Sequence, residues 1–97
     1  MTWNGSSIDI MRVTFEIVEG TPDHNENNMG YINNSASKIF INERMSISQK
    51  RATLYHEFVH GVLDAIGESE LSKNEDFVEK LSRALLLSTS LKVNVHE

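Results

Sequence analysis

The chain has 97 residues, of which 39% are hydrophobic and 24% charged, the size and balance of one globular domain with a modest core. Fourteen acidic residues against nine basic ones give a net charge of −5, and no basic cluster supports a nucleic-acid partner. The chain contains no cysteine, which excludes disulfides, thiol catalysis and cysteine-bound zinc, so any metal must be held by histidine and carboxylate side chains.

The N-terminal segment has no basic region followed by an apolar one, and no apolar run reaches the roughly 18 residues of a transmembrane helix. We therefore expect residues 1–97 to form a single cytoplasmic domain that contacts neither a membrane nor nucleic acid directly. The sequence leaves the oligomeric state open.

The first half of the chain has the pattern of β-strands. Hydrophobic and polar residues alternate over residues 12–19, which predicts a half-buried strand. Residues 20–28 are rich in Gly, Pro, Asp and Asn and predict a loop. Residues 29–32 and Lys38–Asn42 flank the turn sequence NNSA, which predicts a β-hairpin.

The second half has the pattern of two helices. The sequence SISQ, which begins at Ser46, has the spacing of a capping box and predicts a helix that runs to Ile66, with Gly67 ending it. The sequence SKNE, which begins at Ser72, predicts a second capping box and a helix to about Leu87. Residues 90–97 alternate weakly, as a short strand or a frayed end.

The predicted order β-β-β-α-α is an α+β arrangement. We expect a small antiparallel sheet of about three strands, packed on the two helices.

The first predicted helix contains the sequence HEFVH, which begins at His56 and ends at His60. Residues four apart lie one turn apart on the same side of a helix, so both imidazoles can reach one ion. Glu57 points about 100° away from His56 and is placed to take a proton from a zinc-activated water rather than to bind the ion. The alternative is that both histidines are solvated residues at the edge of the apolar face.

The second predicted helix offers two carboxylates four residues apart, Glu75 and Glu79. Glu75 lies nearer the apolar face and is the better third ligand, whereas Glu79 is turned outwards and suits the role of orienting a ligand histidine. Each has an ordinary alternative: Glu75 occupies the third helical position of the Ser72 capping box, and Glu79 can be a solvated ion-pair partner.

In these motifs the chain resembles the gluzincin-type metallopeptidases. It resembles most of all the small ImmA/IrrE-type family of bacteria, phages and mobile elements. The stretch TLYHEFVHGVLDAIG is similar to that family's active-site helix, with His56, Glu57 and His60 on its invariant positions. The stretch EDFVEKLSRALL is similar to the family's glutamate helix. The resemblance implies that Glu75 is the third zinc ligand and that Glu79 orients a ligand histidine or is an alternative ligand.

The stretch GYINNSASKIFIN is similar to the family's hairpin, whose later strand, Lys38–Asn42, would border the substrate cleft and pair with an extended peptide. Val78 and Leu81 depart from the family pattern, which has a small residue and an aromatic at these places. The resemblance covers residues 30–87, and only the HExxH motif is specific in itself.

The sequence does not identify the group that stabilises the oxyanion. Tyr31, Tyr55 and His24 are candidates by their chemistry alone. Each has a simpler explanation: Tyr31 belongs to the hairpin, Tyr55 to the core face of the helix and His24 to a solvated loop. His96 is expected to be inert.

The leading hypothesis is a zinc-dependent endopeptidase in which Glu57 is the general base. The resemblance implies a protein or peptide substrate, such as a transcriptional repressor. The alternatives are a zinc-binding regulatory protein without efficient proteolysis, and an interaction domain that binds no metal.

Overall fold

The computed structural model describes residues 3–21 and 29–95, which form a small α+β fold with a four-stranded mixed sheet and three helices. The elements in chain order are β1 (Ser7–Ile10), β2 (Val13–Gly20), β3 (Gly30–Asn33), β4 (Lys38–Asn42), α1 (Ile47–Ala65), α2 (Ser69–Lys73) and α3 (Glu75–Ser88). The α+β class is confirmed.

The strand order is β1-β2-β4-β3, which corrects the prediction of a three-stranded antiparallel sheet. β1 pairs with β2 and β3 pairs with β4 in the antiparallel sense, which confirms the β3–β4 hairpin, but β4 pairs with β2 in parallel. The physical reason lies in burial: Ile39 and Ile41 of β4 are fully buried, whereas β3 alternates between half-buried and exposed residues. The more apolar strand therefore occupies the centre of the sheet and the more polar strand its edge.

β1 and β2 are joined by a two-residue turn that the sequence pattern does not predict. Ile10 pairs with Val13, so the turn consists of Met11 and Arg12, with φ of 48° and 69°. Positive φ at both central residues is the signature of a type I′ hairpin turn, which normally selects Asn and Gly. Because Met-Arg carries none of that turn chemistry, neither β1 nor this hairpin was predicted.

α1 begins and ends as predicted. Ser46 is its N-cap and exchanges both capping-box hydrogen bonds with Gln49. Ile66 is the C-cap, and Gly67 follows with a φ of 82°, the left-handed conformation that favours glycine.

The predicted capping box at Ser72 is wrong. Ser72 lies inside the short helix α2, and the N-cap of α3 is Asn74, whose side chain accepts a hydrogen bond from the backbone N–H of Phe77. Asparagine is as good an N-cap as serine, and Asn74 lies between the end of α2 and the start of α3. Glu75 is therefore the first residue of α3 and does not cap its own helix.

Two apolar clusters hold the helices in place. The larger lies between the sheet and α1 and includes Ile8, Ile10, Phe15, Ile17, Ile39, Ile41 and Leu54. The smaller joins α1 to α3 through Val59, Leu63 and Val78. Because α1 is held on two sides, the position of its polar face relative to the start of α3 is fixed.

The C-terminal tail forms a bridge rather than a full strand. Ser7 of β1 pairs with Asn94, and the Tyr55 hydroxyl donates to the Thr89 carbonyl and accepts from the Leu91 N–H, at 3.0 and 2.7 Å. Within the described residues, none of the helices has the length and apolar character to cross a membrane.

Candidate metal centre

α1 presents His56 and His60 on one side, as its periodicity predicts. The two rings lie 5.0 Å apart between centroids at an interplanar angle of 65°. Both residues are half-buried, because one side of α1 faces the sheet and another faces α3. The imidazoles therefore stand at the rim of the core, where a second element can add a ligand.

Glu75, the first residue of α3, supplies that further ligand. Its Oε1 lies 3.3 Å from Nε2 of His56 and 3.3 Å from Nε2 of His60, and the ligand atoms of the three residues all lie within 4.8 Å of one another. Zinc bonds of about 2.05 Å in a tetrahedral site place neighbouring ligand atoms about 3.3 Å apart. The group of His56, His60 and Glu75 can therefore hold a metal ion.

The second ring nitrogen of each histidine also has a partner. Nδ1 of His56 lies 3.3 Å from Oε2 of Glu79, and Nδ1 of His60 is hydrogen-bonded to Oγ of Ser72 at 3.0 Å. In the tautomer in which Nδ1 donates to these partners, both Nε2 lone pairs point at the Glu75 carboxylate. Lone pairs and a carboxylate repel each other unless a cation lies between them, which is the arrangement that protein metal sites use.

Ser72 is the residue that sequence reasoning missed. It was assigned to a helix cap, whereas Ser72 is buried and its hydroxyl contacts Nδ1 of His60, with no role in the cap of α3. No spacing rule connects a serine to a histidine twelve residues earlier, so only the packing of α2 against α1 reveals the contact.

Glu57 lies between the two histidines and is buried, with 7% of its surface exposed. Burial raises the pKa of its carboxyl group, His56 and His60 oppose the rise, and the Glu75 carboxylate adds to it. The group whose ligand atoms converge consists of His56, His60 and Glu75, and Glu57 lies beside it. A buried carboxyl group with a raised pKa beside a metal site is suited to proton transfer.

An open cleft lies over these residues and follows β3. One part, of about 380 Å³, is lined by β3 and by His56, Glu57, His60 and Glu75. A second part, of about 270 Å³, shares Gly30, His56 and Glu57 with the first and extends towards Gln49 and Thr53 at the start of α1. The two parts of the groove therefore adjoin at these three residues.

The strand that borders this groove is β3, which corrects the prediction that Lys38–Asn42 does so. β4 already pairs with β2 on one side and β3 on the other, so its backbone has no open edge. Among the described strands, β1 and β3 form the two edges of the sheet, and β3 is the edge that borders this groove. Gly30 lets β3 lie close to α1: a Cβ there would lie 2.6 Å from the Phe40 carbonyl oxygen and 2.7 Å from Cγ2 of Thr53.

The side chains proposed as candidates for oxyanion stabilisation lie in different surroundings. The Tyr55 hydroxyl is engaged by the tail at Thr89 and Leu91, on the core side of α1, so Tyr55 is excluded. Tyr31 lines the groove, but its ring stacks on Phe40 at 5.1 Å between centroids. His24 and His96 lie outside the described residues.

Comparison of the chain with models of protein families, with curated proteins and with solved structures gave no match.

Proposed function

We propose that the chain is a zinc-dependent metalloendopeptidase with a minimal zincin-like fold. The observation that carries the proposal is the convergence of His56, His60 and Glu75 on one point, with Glu79 and Ser72 behind the two imidazoles. Two neutral imidazoles and one carboxylate are a ligand set that zinc uses in catalytic sites with an open fourth position. Bound zinc would supply the Lewis acidity that makes water a nucleophile near neutral pH.

Glu57 is the proposed general base. Its carboxylate lines the groove beside both histidines, and burial raises its pKa towards the range in which a carboxylate exchanges protons efficiently near neutral pH. It accepts the proton of the attacking water and returns it to the leaving amine. The burial that makes Glu57 a better base also reduces competing hydrogen bonds from bulk water.

The proposed substrate is a protein segment in extended conformation that pairs with β3 along the edge that no other described strand occupies. Main-chain hydrogen bonds along an edge strand bind a peptide without dependence on its sequence. The groove that follows β3 passes over Glu57 and the ligand group, so a peptide paired with β3 would cross the site. The resemblance to the ImmA/IrrE-type family makes a transcriptional repressor or another regulatory protein of a phage or mobile element the favoured substrate class.

A second candidate is a zinc-binding regulatory protein without efficient proteolysis. Two observations favour it: the hydroxyl of Tyr55 is occupied by the tail, and the ring of Tyr31 is stacked on Phe40. Neither described tyrosine is therefore free to move towards a tetrahedral intermediate without giving up a contact. Such a protein would bind one zinc ion and leave its partner intact.

The Glu57→Gln variant separates these functions. General-base catalysis contributes about a hundredfold to ten-thousandfold in rate, so cleavage of a candidate repressor by the zinc-loaded variant should fall by at least about a hundredfold. Zinc stoichiometry should stay unchanged because Glu57 is not a ligand. Glu70→Gln, an exposed glutamate of α2, is the matched control and should cleave normally.

Three results would redirect the proposal. Cleavage at the wild-type rate by Glu57→Gln would show that the assigned base is wrong. Stoichiometric zinc without cleavage of the repressor or of denatured casein would favour the regulatory protein. Protein purified without a histidine tag that contains no zinc, and loses no stability in chelator, would favour the metal-free interaction domain.

A further inference from the structure

A second cavity, of about 440 Å³, lies between the tip of the β1–β2 hairpin and the last turns of α1. Its lining is mainly apolar and includes Ile10, Met11, Val13, Phe15, Gly61 and Ala65. None of these residues belongs to the metal site. Gly61 in its wall packs closely against Ile10 and Ile32: a Cβ there would lie 2.7 Å from Cδ1 of Ile10 and 2.8 Å from Cδ1 of Ile32.

This cavity joins the groove over the metal site. Asn34 and Asp64 line both spaces, and the Asn34 side chain donates a hydrogen bond to the Asp64 carboxylate at 3.1 Å. The pair ties the end of the β3–β4 hairpin to α1 and forms a shared polar wall. A chain that follows β3 past the metal site therefore arrives at the mouth of an apolar cavity.

The turn at the rim of the cavity is built at a cost to the fold. Met11 and Arg12 both adopt left-handed φ, which is unfavourable for residues with a Cβ and which Asn-Gly would adopt with far less strain. Met11 is also 57% exposed, and Val13 beside it is 48% exposed. A strained backbone that displays apolar side chains at the mouth of a cavity is an arrangement associated with binding sites.

The distance along β3 sets which part of a peptide would reach the cavity. Gly30, the first residue of β3, lines both parts of the groove, and Asn34, which directly follows the last residue of β3, lines the cavity. Four residues of extended chain span about 13 Å. A peptide paired with β3 would therefore place its third or fourth residue from the cleaved bond beside Met11 and Val13.

We infer that this cavity is a specificity subsite that receives a large apolar side chain, such as Leu, Met or Phe, three or four residues from the cleaved bond. The inference rests on the proposed peptidase function and names the substrate feature that the function leaves open. Its occupant is apolar because the cavity walls are apolar, and the Asn34–Asp64 pair is placed to contact the main chain of the same peptide.

The test uses a synthetic peptide library randomised at every position, incubated with the zinc-loaded protein, with the cleaved bonds mapped by mass spectrometry. We expect enrichment of large apolar residues at one position three or four residues from the cut. Two peptides that differ only by Leu or Ser at that position should then differ in kcat/KM by about tenfold to a hundredfold, the effect of burying one leucine side chain.

Two variants alter the cavity at residues outside the candidate metal site, one by filling it and one by making its wall smaller and more polar. Ala65→Phe places a ring into the cavity from an exposed helix position, and Val13→Ser removes part of an exposed wall. Each should lower the Leu-to-Ser ratio by at least about threefold. Ala84→Phe makes the same substitution at an exposed position of α3 outside the cavity and should keep the wild-type ratio.

The outcomes separate the subsite from the catalytic function. Cleavage with no preference at that distance, or an equal ratio in Ala65→Phe and Ala84→Phe, would overturn the subsite and leave the peptidase function standing. Absence of any cleavage by the zinc-loaded wild type would overturn both.

Discussion

The assignment of Glu75 as the third metal ligand can be tested by comparing it with its immediate neighbour. Glu75 and Asp76 both lie in the first turn of α3, and their side chains are 68% and 77% exposed. Replacing either by its amide removes one negative charge from the same helix N-terminus. Only Glu75 faces the imidazoles, whereas the Asp76 carboxylate pairs with Lys80 at 3.1 Å.

The expected magnitude follows from this geometry. Loss of a partner that orients a metal ligand typically weakens metal affinity about 10–100-fold, and loss of the ligand itself should exceed that. Glu75→Gln should therefore weaken zinc binding by more than about a hundredfold, or about 2.8 kcal/mol. Glu79→Gln should weaken it by about 10–100-fold, because Glu79 contacts only Nδ1 of His56. Asp76→Asn should change it by less than about threefold, since exposed charges are screened.

Zinc affinity is measured by competition with a chromophoric chelator at fixed pH and ionic strength. Thermal unfolding in excess chelator provides the control for folding. Both amide variants should lose a similar small amount of metal-free stability, about 0.3–1 kcal/mol, because each removes a negative charge from a helix N-terminus. Equal zinc affinities for Glu75→Gln and Asp76→Asn would refute the assignment of Glu75, and a larger loss in Glu79→Gln would make Glu79 the ligand.

Four further predictions follow from individual contacts. Ser72→Ala should weaken zinc binding by about tenfold in the same competition assay, since it frees the ring of His60. In chelator, Glu57→Gln should raise the unfolding temperature. The difference in unfolding temperature between variant and wild type should widen as pH rises above 4.5, because burial makes the charged Glu57 carboxylate less stable in the folded than in the unfolded chain. Gly30→Ala should lower kcat/KM and cost about 1–3 kcal/mol in urea unfolding, since its Cβ meets the Phe40 carbonyl. Gly67→Ala should cost about 1 kcal/mol in stability with no effect on zinc, because only its φ of 82° resists the change.

Local sequence signals predicted α1 well. The capping box at Ser46 and the glycine at position 67 both act within a few residues of the helix ends they define. The β3–β4 hairpin was predicted for the same reason, because its turn lies between two short apolar runs. Pairing between β2 and β4 is non-local, and no turn residue encodes it, so the sheet order could not be predicted.

The candidate site was predicted more fully than the fold that builds it. His56, His60, Glu75 and Glu79 were named from helix periodicity and from the resemblance, and the structure brings all four together. The remaining ambiguity was whether Glu75 capped its own helix. The answer depended on where α2 ends and α3 begins. Because Asn74 is the N-cap of α3, Glu75 is the first residue of that helix and its carboxylate faces the histidines.

The substrate side of the site was predicted less well, because it depends on strand order. Lys38–Asn42 was expected to border the cleft, and its backbone is fully paired in the interior of the sheet. Among the described strands, the edge beside the groove is β3, whose polar alternation marks it as an edge strand only when all four strands are known. The apolar cavity beside Met11 depends on a hairpin with no sequence signal.

We propose that this chain uses zinc and Glu57 to hydrolyse peptide bonds. The most direct test is mass spectrometry of a peptide library after incubation with zinc-loaded protein in isotopically labelled water. The proposed function predicts new carboxyl termini that each carry one labelled oxygen, and that are missing with Glu57→Gln or with chelator. A wild-type protein that holds one zinc ion per chain and produces no labelled termini would contradict it.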